Sequence, residues 1–210
     1  MTRYAKLTIT LIAAWFVVSL AASALHLYQA VPGRPPLALG IAALTPLVLF
    51  FIGYAAAPGY RAFIRTLDPR TLTLLQSWRI AGFVFVVLAA YGILPNLFAQ
   101  PAGWGDFFIG ATAPLAALVL AQPSHRSTFV FWQILGMADL ITAVTLGPLA
   151  QVIHPQGLPT SPMTVLPLSM IPTFAVPLFF LIHFICISQA LRWPASPVVP
   201  AVQPRRVPAL

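Results

Sequence analysis

Asp139 and His183 are the residues best placed to do chemistry, because each ionisable side chain sits deep inside a long apolar run. Asp139 comes about ten residues into the run 129–151, hence ~15 Å from its start at 1.5 Å per residue. His183 lies about nine residues before Arg192, hence ~13 Å from the same edge. The two are level. An acid at the centre of a hydrocarbon layer costs about 2.5–3.5 kcal/mol, so it needs a partner or a task. The expectation is that they meet between helices, directly or through water. Such a pair can carry a proton, because histidine titrates near neutral pH. The competing reading is that Asp139, protonated or bonded to Thr and Gln side chains, with Thr142 and Gln133 as candidates, only holds helices together.

Other polar residues ask for less. Asp106 follows Pro101-Ala102-Gly103-Trp104-Gly105 and is expected in the first turn of a helix, where the dipole favours an acid and the carboxylate caps free N–H groups. The alternative is an outward-facing site for a cation, with Trp104 as its interface anchor. Gln76, Arg79 and Gln133 are expected to form a polar layer near one end of the helices. The competing reading is that Arg79, about 6 Å deep, is an ordinary basic anchor reaching for the interface. Pro172 and Pro177 should kink the last apolar run and free the carbonyls of Leu168 and Thr173. Those carbonyls can take a bond from Ser169, from another helix, or from a cation.

Metal and cofactor chemistry finds little footing. His26 and His183 differ in depth by roughly 10 Å or more, which does not suit a haem held between them. His125 and His154 fall in loops on opposite sides. No HExxH, CxxC or Gly-rich phosphate loop occurs. No metal, cofactor or enzymatic role is therefore expected, and a membrane redox protein is a distant third reading.

The elements that position these residues are set by composition. Of 210 residues, 60% are hydrophobic and only 7% charged, against about 25% charged in a soluble domain. The net charge of +8 does not imply nucleic acid, because the basic residues are scattered among loops between apolar runs instead of clustering on one face. Six runs are long enough to cross ~30 Å of hydrocarbon: 7–28, 37–56, 75–97, 104–121, 129–151 and 167–191. If they alternate, Arg3, Lys6, Arg61, Arg65, Arg70, Arg79, Arg126, Arg192, Arg205 and Arg206 share one side and Arg34 stands alone on the other. That bias places both termini in the cytoplasm. A rival reading of the first run is a signal peptide cleaved near Ala22-Ser23-Ala24, which would leave five spans.

Between the second and third runs, Tyr60, Phe63, Ile64 and Leu67 recur at helical spacing, as in a short helix lying in the headgroup layer. Asp68-Pro69 reads as an N-cap followed by proline at the first helical position, so the third helix should begin near Pro69. Residues 193–210 are proline-rich and read as a disordered cytoplasmic tail. Trp78-Arg79-Ile80-Ala81-Gly82 and Trp132-Gln133-Ile134-Leu135-Gly136 share a pattern that repeated helical hairpins would produce, as would chance in so biased a composition.

The stretches Gln76-Ser77-Trp78-Arg79 to Gly82, Gly92-Ile93-Leu94-Pro95, Phe98-Ala99-Gln100-Pro101-Ala102-Gly103-Trp104-Gly105-Asp106, Leu135-Gly136-Met137-Ala138-Asp139-Leu140 and Ile171-Pro172…Val176-Pro177-Leu178…His183 together resemble a family of small bacterial inner-membrane proteins of unassigned function. The resemblance spans roughly residues 70–190. It implies a bacterial cytoplasmic membrane and no particular activity.

The expected fold is an all-α, polytopic bundle of six spans over residues 1–192, both ends cytoplasmic. The expected function is small-solute or proton-linked transport through Asp139 and His183. The alternative is a non-catalytic accessory component. Expected partners are the lipid bilayer and a second copy or partner subunit.

Overall fold

The computed structural model describes residues 2–31 and 36–194. Arg34 and nearly all of the proline-rich tail lie outside the described residues. The described chain is helical throughout, with no strand. Six of its helices are long and apolar enough to cross a membrane: α1 (Arg3–Ala24), α2 (Leu37–Ala56), α4 (Pro69–Ala90), α5 (Asn96–Leu120), α6 (Pro123–Ile153) and α7 (Ile171–Ala190). A short helix, α3 (Pro58–Ile64), connects α2 to α4.

The exterior is apolar. No residue of α2 is buried, and Val17, Val18, Ile41, Leu44, Leu118 and Phe131 are all more than half exposed. A helix that is hydrophobic all round belongs in a lipid environment or a core. Three apolar clusters form the interior, the smallest made of Ile109, Ala113, Ala116 and Trp132, beside two larger ones. One gathers Phe85, Leu94, Phe98, Ala102 and Ala150. The other gathers Phe129, Ile182, Cys186 and Ala190. The buried polar residues described below fall between them along the helices.

α4 is the element that departs most from regular geometry. Its middle, Gln76–Phe83, winds as a 3-10 helix, longer than such stretches usually run. With three residues per turn, side chains three apart fall in line. Thr73, Gln76 and Arg79 are therefore all buried on one ridge, which Gly82 continues. A pure 3.6-residue period would have fanned them around the helix.

Helix ends are closed by named side chains. Asp68 is the N-cap of α4, accepting from the Arg70 and Thr71 amides at 3.2 and 3.0 Å and from the Thr71 hydroxyl at 2.7 Å. The Thr71 hydroxyl, helped by the two amides, holds the Asp68 carboxyl below the usual carboxylate range. A depressed folded value means stability that is present above the unfolded pKa and lost as pH falls through the folded one. Asp68→Ala should thus cost about 1 kcal/mol at neutral pH. Asp68→Asn, an equally good cap, should match the parent there and show no loss of the cap in acid. Detergent unfolding midpoints of parent and Asn variant, compared at neutral and acid pH, check this.

Gln189 donates to the carbonyls of Ile64 (3.0 Å) and Leu67 (2.8 Å), tying the end of α3 to α7. Tyr60 and Phe63 of α3 pack against Tyr4 of α1. Pro172 lies at the start of a π-helical turn, Ile171–Ala175, and Pro177 follows it. The Thr173 carbonyl, freed by Pro177, accepts the Trp15 indole N–H of α1 at 2.9 Å. The freed group is thus satisfied by another helix.

Candidate functional site

The centre of the bundle is organised by Arg79, not by a direct Asp139–His183 contact. Arg79 is 2% exposed. Its Nε donates to Asp106 Oδ1 at 2.7 Å. Its Nη2 donates to Asp139 Oδ2. Its Nη1 donates to the Gly136 carbonyl at 3.1 Å and lies 3.0 Å from His183 Nε2. One guanidinium from α4 thereby joins α5, α6 and α7. Arginine suits this place because its planar fork can serve several acceptors and keeps its charge when buried.

These bonds fix the histidine. A guanidinium only donates, so His183 Nε2 must accept and the ring proton must sit on Nδ1. Nδ1 in turn faces Gln133 Oε1 at 2.5 Å. Gln133 Nε2 donates to the Thr73 hydroxyl at 3.0 Å, and that hydroxyl lies 3.8 Å from the Cys186 thiol. A directed chain of donors therefore runs Arg79, His183, Gln133, Thr73, with the Cys186 thiol beside its end. Both histidine nitrogens are engaged, so any iron ligand at His183 would have to displace Arg79 or Gln133. Among the described residues no His, Cys, Asp or Glu cluster could hold a metal ion.

Glycines make the contacts sterically feasible. A Cβ on Gly82 would meet the Asp106 carboxylate, one on Gly105 that of Asp139, and one on Gly136 the His183 ring. A Cβ on Gly110 would meet the backbone amide of Ile80 in the 3-10 stretch. Gly82 and Gly136 each lie three residues after a polar side chain, Arg79 and Gln133. In both cases a residue of the next long helix rests on the glycine and bonds that side chain: Asp106 to Arg79, His183 to Gln133. The two short sequence patterns beginning at Trp78 and Trp132 thus do the same structural job.

The structure relocates several expected residues. Asp106 is not in a first turn. α5 begins at Asn96 and continues through Pro101, which places Asp106 well inside the helix with Arg79 as its partner. Arg79 does not reach outward as an anchor would: its side chain is fully buried between Asp106 and Asp139, ten residues after the start of α4 at Pro69. Thr142 bonds the Ala138 carbonyl of its own helix and is exposed, outside the site. Trp104 is half exposed; its indole donates to Gln100, and its ring packs on Phe83 and Phe107. Gln76 is fully buried but turns to the Phe179 carbonyl at 3.2 Å, away from the guanidinium. Thr73, Gly82, Gly105 and Gly110 belong to the arrangement without having been singled out. The three-residue spacing of Thr73, Gln76, Arg79 and Gly82 was the signal for the first two.

The carboxylates are not sealed. The side chains of Asp106 and Asp139 keep 15% and 14% of their surface exposed, while that of Arg79 keeps none. The cluster thus has a closed cationic centre and a partly open acidic edge.

The fold and this buried charge cluster define an all-helical protein with six helices suited to crossing a membrane. The chain belongs to the family described as a domain of unknown function, DUF8737, which it matches over residues 35–191. No curated protein and no solved structure matches it.

Proposed function

We propose that this chain is a multipass protein of the cytoplasmic membrane of a bacterium, and that it couples movement of a small solute to a proton held at Asp106 and Asp139. The carrying observation is that two carboxylates from different helices share one buried guanidinium. With the histidine neutral, full ionisation leaves the group with one net negative charge. In a low-dielectric layer an unbalanced charge is costly. One proton, or one monovalent cation, on the open acidic edge balances it. Gain and loss of that proton changes what Arg79 is bonded to, and so the contacts of four helices.

Orientation rests on charge. Of the 11 basic residues, Arg79 is internal. If the six helices alternate, nine of the remaining ten fall on one side, with both termini, and by the positive-inside rule that side is the cytoplasm. The partners in this reading are lipid and, at the edge where the carboxylates open, a second copy or another membrane subunit.

The test is proton flux into proteoliposomes loaded with a pH-sensitive dye. Asp139→Asn keeps shape and hydrogen bonding while removing the exchangeable charge, and should cut flux at least tenfold with the helical content unchanged. If the Asn variant carries protons as the parent does and Asp139→Leu merely lowers yield, the proton reading fails. The second reading, a non-catalytic accessory component, then stands. The observation favouring it is that Arg79 already has a protein partner on each of its three nitrogens.

A further inference from the structure

A second polar site lies at the C-terminal end of α7, where it meets the start of α4. A cavity of about 230 Å³ is lined by Arg65, Leu67, Pro69, Gln189, Arg192 and Trp193. Two of the six lining residues are arginines and none is acidic. The acid next to it in sequence, Asp68, spends both carboxylate oxygens on the cap of α4. Arg126 adds a third cation nearby, donating to the Leu191 and Trp193 carbonyls at 3.0 and 3.4 Å and so offsetting the negative end of α7.

Two atoms here are buried without a partner among the described residues: Arg65 Nε and Gln189 Oε1. The first is a donor on a cation and the second a neutral acceptor. Gln189 cannot turn to relieve its oxygen, because its Nε2 is held by two carbonyls at 3.0 and 2.8 Å. Buried polar groups left unpaired are expensive. A ligand that satisfies both must bring anionic oxygens for the arginines and a hydroxyl for Gln189.

We propose that this cavity binds a phosphate group that carries a hydroxyl. Two sources share that chemistry: the headgroup of an anionic phospholipid such as phosphatidylglycerol, and a free phosphate ion in its monoprotonated form. Arginine forks fit phosphate oxygens in pairs, and basic pockets between helix ends are known to take anionic headgroups. Trp193, stacked on Phe129 at 5.2 Å, supplies an apolar wall for the glycerol or acyl portion of a lipid. The site is independent of the proton cluster, and the free-phosphate arm holds whether or not the helices span a bilayer.

The experiment is a thermal-unfolding titration of the detergent-solubilised full chain with three probes: inorganic phosphate, phosphatidylglycerol in mixed micelles, and phosphatidylcholine in the same micelles as a zwitterionic control. Each is run on the parent, on Arg65→Gln, on Arg192→Gln and on the double variant. Saturable stabilisation by phosphatidylglycerol but not phosphatidylcholine, weakened about fivefold per arginine lost and about 25-fold in the double variant, supports the lipid source. The same pattern with inorganic phosphate alone supports the soluble source. Helical content by circular dichroism confirms that the variants fold, and Arg61→Gln, altering a basic residue outside the cavity, controls for general charge. If neither phosphatidylglycerol nor phosphate stabilises the parent more than the double variant, the proposal is overturned.

Discussion

Arg79→Leu should be the most damaging single substitution in this protein, destabilising it by about 3–5 kcal/mol. The cost is not the lost attraction alone. Arg79 neutralises Asp106 and Asp139, satisfies His183 Nε2 and takes the Gly136 carbonyl. Its removal leaves two carboxylates and a ring nitrogen facing an apolar side chain, and unpaired charges in a low-dielectric setting carry the full desolvation penalty. Lysine would not rescue it, because a point charge with three donors cannot reproduce the fork. Arg79→Leu combined with Asp106→Leu and Asp139→Leu should recover most of the loss, since a buried ionic group replaced by apolar residues of similar size is often neutral or stabilising. Reversible unfolding of the four proteins in detergent measures both effects. If Arg79→Leu unfolds with the parent, the guanidinium does not bear the load assigned to it. If the triple variant is no better than the single one, the damage comes from packing and not from charge. The triple variant should also be inert in the flux assay, which separates a stable bundle from an active one.

The sequence displays this bundle clearly at coarse grain. Apolar run lengths locate all six long helices, and the Asp68-Pro69 pair marks the start of α4. Hydropathy succeeds because a chain with so little charge has few other ways to satisfy its backbone. Helix ends fare worse. A span that must cross a fixed thickness tells nothing of how far the helix continues beyond it, and α5 and α6 begin several residues before the apolar runs do.

That error propagates to the site. Starting α5 near residue 104 makes Asp106 a cap, whereas starting it at Asn96 makes it an internal acid. Counting the depth of Arg79 from the apolar run at 75, although Asp68-Pro69 already marks the helix start, makes it an interfacial anchor, whereas its ten-residue distance from Pro69 and its full burial make it central. That Asp139 and His183 come to one place is readable, with Asp139 counted from the start of its apolar run at 129 and His183 from Arg192; both meet Arg79. What joins them is not readable, because the ridge of Thr73, Gln76 and Arg79 follows a three-residue period that a 3.6-residue template does not reveal. The anion cavity was equally hidden, since Arg65 and Arg192 lie far apart in sequence and meet only through the packing of α3 on α7.

Gly110→Ala and Gly105→Ala differ by one methyl group each and should fail in different ways. At Gly110 the added carbon runs into the Ile80 amide and the adjoining Arg79 backbone. Backbone in the middle of a packed helix cannot step aside, so α4 and α5 must separate along their closest contact. The expected cost is about 1–3 kcal/mol, the usual range for overpacking, together with loss of the Arg79–Asp106 bond that spans the same crossing. At Gly105 the added carbon meets the Asp139 carboxylate, the far end of a side chain that can rotate. Stability should fall less there, but Asp139 must leave Arg79 to make room, so proton flux should fall more than stability does. Unfolding midpoints and dye-monitored flux on the two variants give the pair of numbers needed. A Gly105→Ala protein with parental flux would show that the Arg79–Asp139 bond is dispensable to transport. A Gly110→Ala protein with parental stability would show that α4 and α5 can part without cost, contrary to a buried guanidinium locked between them.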